Sequence, residues 1–439
     1  MRIPIGLAAL AASVLAAASQ ASAFCGFYVA KADAKLFNRS SKVVVARKDR
    51  RTVITMASDY EGDPKEFALV VPVPTVVTRE QIRITDNHLI DHLDAYTAPR
   101  LVEYFDHDLC AYQNRITLAG SSLPASLAAV PANREAALGV KIEAQYTVGE
   151  YDIVILSASQ SDGLSTWLTE EGYRIPSAAA PVLGSYIKQG MKFFVAKVNL
   201  QEKSRLGFQY LRPIQVAYDT HKFMVPIRLG TVNADGPQDM VVLMLTANGR
   251  VEATNYRTQR IPTDVDLPAF TRTEFAKVYK ALFDTQIKQD GMTAVYLEYA
   301  WNMAWCDPCA ADPIPNDKLV ELGAFWLGNT STGRSIRSFG PLNVFVTRLH
   351  VRYDGKKFPE DLMFQETADT ASFQGRYVIR HPYKGPITCP LGEDYQKLLV
   401  PRFVQEAQTL ARLTGWEPRA IAESMRNAGQ PISVDPARP

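Results

Sequence analysis

The residues best suited to chemistry lie in "AWNMAWCDPCAADPIP", residues 300–315. Cys306 and Cys309 stand two residues apart behind Trp305, with Asp307 and Pro308 between them, which is the spacing of thiol–disulfide oxidoreductases. Those enzymes place the pair at the start of a helix in a βαβ unit, where free amides and the helix dipole stabilise the thiolate. The apolar run "TAVYLEYAW" (293–301) reads as the strand such a unit needs. The segment after it does not read as the helix, because Pro313 and Pro315 together remove two helical donors. Asp307 adds a negative charge beside the sulfurs, which disfavours a thiolate. The flanking sequence reads as antiparallel, without a parallel strand to complete the unit. The expectation is a local Cys306–Cys309 disulfide that clips a loop. A redox-active dithiol is the alternative.

A second constellation is basic. In "TRLHVRYD" (347–354), a strand sends Arg348, His350 and Arg352 to one face and Leu349, Val351 and Tyr353 to the other. "FQGRYVIRHPY" (373–383) repeats the alternation, with Gln374, Arg376 and Arg380 set against Phe373, Tyr377 and Ile379. If the two strands are neighbours, Arg348, Arg352, Arg376 and Arg380 share a face. That face is a candidate anion-binding site, because guanidinium groups grip phosphate and carboxylate bidentately. The plainer reading pairs them with local acids such as Glu360, Asp361 and Glu366 on a solvated face.

Two further patterns are weaker. His88 and His92 fall four apart on a helical stretch, with Asp91 between them and "DHDLC" (106–110) within reach as a third ligand. A zinc protease carries a glutamate directly after the first histidine, and here Leu89 stands there. The expectation is boundary histidines bonded to neighbours, and no metal. "GNTSTGRS" (328–335) has the glycine spacing of a phosphate-binding loop, but Arg334 replaces the lysine that must reach between the phosphates. It reads as a polar loop. No G-x-S-x-G elbow and no dinucleotide fingerprint follows a strand. No catalytic residue, cofactor or metal ligand is assigned.

The elements that must position these residues are mainly strands. "KVVVARKDRRTVITMAS" (42–58) reads as two strands around a charged turn, and "EFALVVPVPTVV" (66–77) as an extended segment whose prolines place it at a sheet edge or leaving one. Residues 87–105 read as a helix split at Pro99, and 161–176 as a helix capped by Asp162 and ended by Gly172. Asn248-Gly249 signals a hairpin. "IPTDVDLP" (261–268) reads as a linker, which divides the mature chain into 24–265 and 266–439. Beyond it come an amphipathic helix (271–289), a strand turning at Asp354-Gly355, and two closing helices near 393–413 and 418–428. The fold class is α+β, with large antiparallel, meander-type sheets, packed helices and a C-terminal helical hairpin.

The N-terminus sets the compartment. Arg2, an uncharged alanine- and leucine-rich run to Ala18, and the small-x-small site Ala21-Ser22-Ala23 form a secretory leader, with Phe24 as the expected first mature residue. Phe24 occupies the position before Cys25 where a lipoprotein signal needs a small residue. The remaining chain has no run long enough to cross a bilayer, so the expected location is periplasmic or secreted. With 48 basic against 46 acidic residues, the formal charge of +2 argues against nucleic acid. A small anionic molecule or a protein is the expected ligand class. The five cysteines (Cys25, Cys110, Cys306, Cys309 and Cys389) leave at least one unpaired within the chain, and their pairing beyond Cys306–Cys309 is open.

"ASDYEGDPKEFALVVPVP" (57–74), "TAPRLVEYFDHDLC" (97–110), "WLTEEGYRIP" (167–176), "VPIRLG" (225–230), "WCDPC" (305–309), "TRLHVRYD" (347–354), "FQGRYV" (373–378) and "LTGW" (413–416) occur in that order. Together they resemble an uncharacterised bacterial family of exported proteins, the domain of unknown function 2330. The resemblance implies export and one architecture across nearly the whole mature chain. It carries over no activity, substrate or catalytic residue. Some members have a C-terminal membrane anchor, which the polar ending "QPISVDPARP" does not match. The reading that follows is a soluble exported protein with a binding or structural role.

Overall fold

The structure is a computed structural model that describes residues 27–31, 37–61, 67–110, 142–157, 161–176, 178–206, 211–234, 236–305, 312–328 and 343–432. The leader, Cys25, Arg334 and the Cys306–Cys309 pair lie outside the described residues.

The longest β-branched runs build a nine-stranded sheet. Its order is Arg257–Arg260, Ala294–Asn302, Phe345–Tyr353, Gln238–Thr246, Phe37–Lys48, Arg51–Glu61, Ile214–Asp219 and Ile82–Ile84, with Phe373–Gln374 joined to Ala294–Asn302. Strands from both sides of residue 265 therefore share one sheet. Val43 and Val45 pack on one face of it, and Val44 and Ala46 on the other, so the sheet is covered by apolar core on both faces at this strand. Most pairings are antiparallel. Gln238–Thr246 runs parallel to Phe37–Lys48, and Arg257–Arg260 runs parallel to Ala294–Asn302.

A six-stranded sheet orders Ile142–Val148, Tyr151–Leu156, Lys192–Val198, Phe67–Val73, Phe27–Lys31 and Tyr173–Arg174. Helices Ser161–Glu170 and Ala179–Lys188 bury Leu164, Leu168, Leu183 and Tyr186 against it. Two small sheets complete the β-structure. One is antiparallel (Met224–Val225, Leu362–Glu366, Val251–Ala253), and one is parallel (Val265–Asp266, Arg376–His381, Arg100–Phe105). Helix Phe275–Gln289 packs against the long Pro390–Thr414 helix, which turns through Gly415 (φ 68°) into Pro418–Asn427. The protein is α+β, with large mixed and antiparallel sheets and C-terminal helices. Among the described residues, no helix is long and apolar enough to cross a membrane.

Four local expectations are corrected. Phe67–Val73 lies inside its sheet, not at an edge, and Pro72 is accommodated because Phe27–Lys31 pairs only as far as Val70. At Pro72 only Lys192–Val198 remains as a neighbour. The helix of 87–105 is Asn87–Thr97 alone. Pro99 biases Ala98 to an extended conformation (ψ 146°), and Arg100–Phe105 becomes a strand. Asn248-Gly249 closes no hairpin, since Gln238–Thr246 and Val251–Ala253 enter different sheets. Gly249 instead sits against the Thr367 and Asp369 carbonyls, where a Cβ would lie 2.5 and 2.7 Å from the two oxygens. The strand delivering the cysteine pair does have a parallel neighbour: Arg257–Arg260, helix Phe275–Gln289 and Ala294–Asn302 form a βαβ unit.

Candidate functional site

Glu298 is the only charge in the apolar run 293–301, and it organises a buried polar network. Pairing between Ala294–Asn302 and Phe345–Tyr353 shifts register between Leu297 and Tyr299, so Glu298 is the extra residue of a β-bulge. Gly375 makes room for the bulge. Its N–H donates to the Glu298 carbonyl (2.7 Å), its own carbonyl accepts from the Arg100 N–H (2.9 Å), and a Cβ there would press on Glu298 O and Pro99 at 3.2 Å.

The bulge turns the Glu298 carboxylate onto the face that carries Arg348, His350 and Arg352. Glu298 Oε2 accepts from Arg348 Nε (2.6 Å), and Oε1 lies 2.7 Å from His350 Nδ1 and also accepts from the Tyr279 hydroxyl. Arg348 extends to helix Asn87–Thr97, donating through Nη1 to Asp94 Oδ1 at 2.5 Å. Asp94 Oδ2 in turn meets Lys42 Nζ at 2.7 Å. On the other side, the His350 ring stacks on Phe283 with centroids 3.8 Å apart. Arg352 forks onto Asp239 (2.8 and 2.7 Å) and reaches Asp284 at 2.6 Å.

Burial alone would raise the Glu298 carboxyl. The charges of His350 and Arg348, with hydrogen bonds from His350 and Tyr279, outweigh it and hold the carboxyl at about 2. Burial likewise works against the Arg348 charge, and Glu298 and Asp94 overcome it, so its pKa is raised. Tyr279 is pushed well upward by burial and by Glu298, which keeps its hydroxyl a donor. The network can hold charge and fix the two helices on the sheet. Both oxygens of the Glu298 carboxylate are met by protein groups, and the residue is 0% exposed.

The structure separates the four arginines. Arg348 and Arg352 belong to the nine-stranded sheet, and Arg376 and Arg380 to the parallel three-stranded one. Arg376 pairs with Asp264 (2.5 Å) and Arg380 with Asp266 (3.0 Å). The partners are not the acids expected from local sequence: Asp361 holds Arg228 (2.9 Å), and Glu366 accepts from the Ala247 and Asn248 amides. His92 Nε2 meets the Asp312 carbonyl at 2.7 Å, His88 is exposed, and no metal-binding cluster occurs among the described residues.

Sequence reasoning missed Glu298 and Asp94 as organisers. A lone acid in an otherwise apolar strand was the available signal, since such a charge must find a partner. It also left open the disulfide that the structure contains, Cys110–Cys389 (Cα–Cα 5.7 Å, 279 residues apart). Gly392 lets the long helix approach this bridge, because a Cβ there would lie 3.1 Å from Cys110 Sγ.

An α+β chain with a bulge-centred charge network and a long-range disulfide is the class of protein these observations define. The chain belongs to the family described as an uncharacterized protein conserved in bacteria (DUF2330), whose pattern matches residues 18–365. No curated protein and no solved structure matches it. The match contains the Glu298 network and Cys110, while Cys389 and the C-terminal helices lie beyond its end.

Proposed function

We propose that this is an exported, periplasmic protein that works by binding or as a structural element, without chemistry of its own. The observation that carries the reading is the Cys110–Cys389 bridge, since long-range disulfides persist in oxidising compartments. The leader at residues 1–23 agrees with it. The central ionisable groups support a non-catalytic role because they neutralise one another. Export is tested by sequencing the N-terminus of the periplasmic product, which should begin at Phe24. A chain retained in the cytoplasm, or one starting at a lipid-modified Cys25, would overturn it. Thiol titration of the denatured, unreduced protein should give one free thiol, that of Cys25, because Cys110–Cys389 and Cys306–Cys309 are both expected to be closed.

The βαβ unit that delivers Trp305, 55% exposed, favours a second reading, with Cys306 and Cys309 as a thiol–disulfide exchange site. Against it, residues 312–315 carry no helix, and the next helix begins only at Asn316. Insulin reduction that disappears in Cys306→Ser would establish this reading over the first.

A further inference from the structure

The long C-terminal helix meets the parallel three-stranded sheet through a second buried carboxylate, Glu406, which is 1% exposed. Arg402 and Glu406 stand four apart on this helix, a spacing at which such side chains ordinarily touch. Here they stop short. Arg402 Nε lies 3.6 Å from Glu406 Oε1, beyond hydrogen-bond reach. Glu406 Oε1, Arg402 Nε and Arg402 Nη2 are all enclosed, and none has a hydrogen-bond partner among the described residues. The Arg402 side chain as a whole is 21% exposed, so it is its Nε and Nη2 that are shut from solvent.

Both ends of the gap are pinned. Glu406 Oε2 accepts from Gln430 Nε2 (2.8 Å), and Gln430 Oε1 accepts from the Ala269 N–H (2.7 Å). Arg402 Nη1 donates to Asp106 Oδ2 (2.7 Å). The same oxygen accepts from the Tyr395 hydroxyl (2.6 Å), which in turn accepts from the Tyr383 N–H (2.9 Å). Asp106 is itself fixed, since its N–H donates to the His381 carbonyl (2.9 Å). Swinging the guanidinium onto Glu406 would pull Nη1 from Asp106, and turning the carboxylate would pull Oε2 from Gln430. Closing the gap breaks one of these bonds, whereas filling it breaks none.

Whatever fills it must accept from guanidinium donors and bond to a carboxyl oxygen. An anion would be repelled by Glu406 and a cation by Arg402, so one wall opposes an ion of either sign. Enclosure between atoms 3.6 Å apart restricts the size. Water meets both demands. It donates and accepts, and with contacts of about 2.9 Å it reaches both atoms at once. It also suits the carboxyl in either protonation state, donating to the charged form and accepting from the neutral one. Buried waters rest on about three polar groups, which is what this gap presents. We propose that Arg402 and Glu406 hold one internal water that bridges the guanidinium to Glu406 Oε1. The bridge completes a hydrogen-bonded chain from Ala269 through Gln430, Glu406, Arg402, Asp106 and Tyr395 to Tyr383. Ala269 follows the outer strand Val265–Asp266, and Asp106 follows the opposite outer strand, Arg100–Phe105. The water thus ties the C-terminal helix across the whole end of this sheet.

A high-resolution crystal structure of the full chain should show a solvent peak within about 3.2 Å of Glu406 Oε1 and of Arg402 Nε or Nη2. The lack of a peak there overturns the proposal, whether or not Arg402 has closed onto Glu406. In solution, water-oxygen magnetic relaxation dispersion counts internal waters that exchange slowly. Glu406→Met removes the carboxyl oxygen and should hold one fewer such water than the wild type. Equal counts would also overturn the proposal. If Glu406→Met does not fold, the wild-type crystal structure decides alone.

Discussion

Glu298 and Glu406 form a natural comparison. Both carboxylates are buried, 0% and 1% exposed, and both have an arginine beside them. One is held at about 2 and the other is pushed to about 7. Burial raises both, so it does not separate them. Glu298 is met by donors on both oxygens, and its arginine turns a different edge to Asp94. Glu406 has a neutral amide on one oxygen and no hydrogen bond on the other, and its arginine donates to Asp106 instead. The number of donors that reach the carboxylate decides whether a buried acid acts as a rivet or as a titrating group.

The largest effect expected follows from breaking the rivet. Arg348→Met removes the cation from Glu298 and strips Asp94 of its buried partner, and should cost ~3–5 kcal/mol in urea unfolding. Adding Glu298→Leu should recover much of that loss, because the second change removes the stranded charge. If the double variant is no more stable than Arg348→Met, the cost came from lost packing and the charge argument fails.

Next is the disulfide, which anchors the end of the helix that carries Arg402 and Glu406. Cys110→Ser with Cys389→Ser should cost ~2–5 kcal/mol. It should also free Asp106, four residues from Cys110, to drift from Arg402. Arg402 would then serve Glu406, whose carboxyl should titrate lower than about 7. An unchanged Glu406 midpoint in the double serine variant would show that the bridge does not position Asp106.

The two carboxylates also predict opposite limbs in stability against pH. The Glu298 value, about 2, lies below its ordinary 4.5, so its contribution is full above pH 4.5 and is lost as pH falls toward 2. Denaturant midpoints measured from pH 6 to 3 should fall in the wild type and fall less steeply in Glu298→Gln. Equal slopes would mean that other carboxylates set the acid limb.

Much of this architecture was legible from local pattern. The central strands, the amphipathic helix 275–289 and the C-terminal helical pair follow from periodicity and from Gly415 and Pro418. The alternation of Arg348, His350 and Arg352 placed those three on one face. What local pattern does not encode is who sits opposite. Glu298 reaches that face through a register shift, and Asp94 reaches it from a helix 254 residues away from Arg348. Arg100–Phe105 looked helical because its strand character depends on a partner, Arg376–His381, that is distant in sequence. The Cys110–Cys389 pairing is undetermined by spacing for the same reason.

The smallest effect expected lies at the rim of the Glu298 network. Lys42 touches Asp94 at 2.7 Å and Asp91 at 3.0 Å, distances as short as those in the interior. Its surroundings differ: the Lys42 side chain is 28% exposed and that of Asp91 61%, whereas Glu298 is fully enclosed. Water screens the outer pair, and Asp94 keeps its bond to Arg348 when the lysine is removed. Lys42→Met should therefore cost no more than ~1 kcal/mol, well below the loss in Arg348→Met. The comparison is sharpest when both variants are titrated with salt. Lys42→Met should differ from the wild type mainly at low ionic strength, while the Arg348→Met deficit should persist in 1 M salt, because a buried pair is little screened. A Lys42→Met loss as large as that of Arg348→Met would mean that contact distance, and not enclosure, sets the worth of these ion pairs.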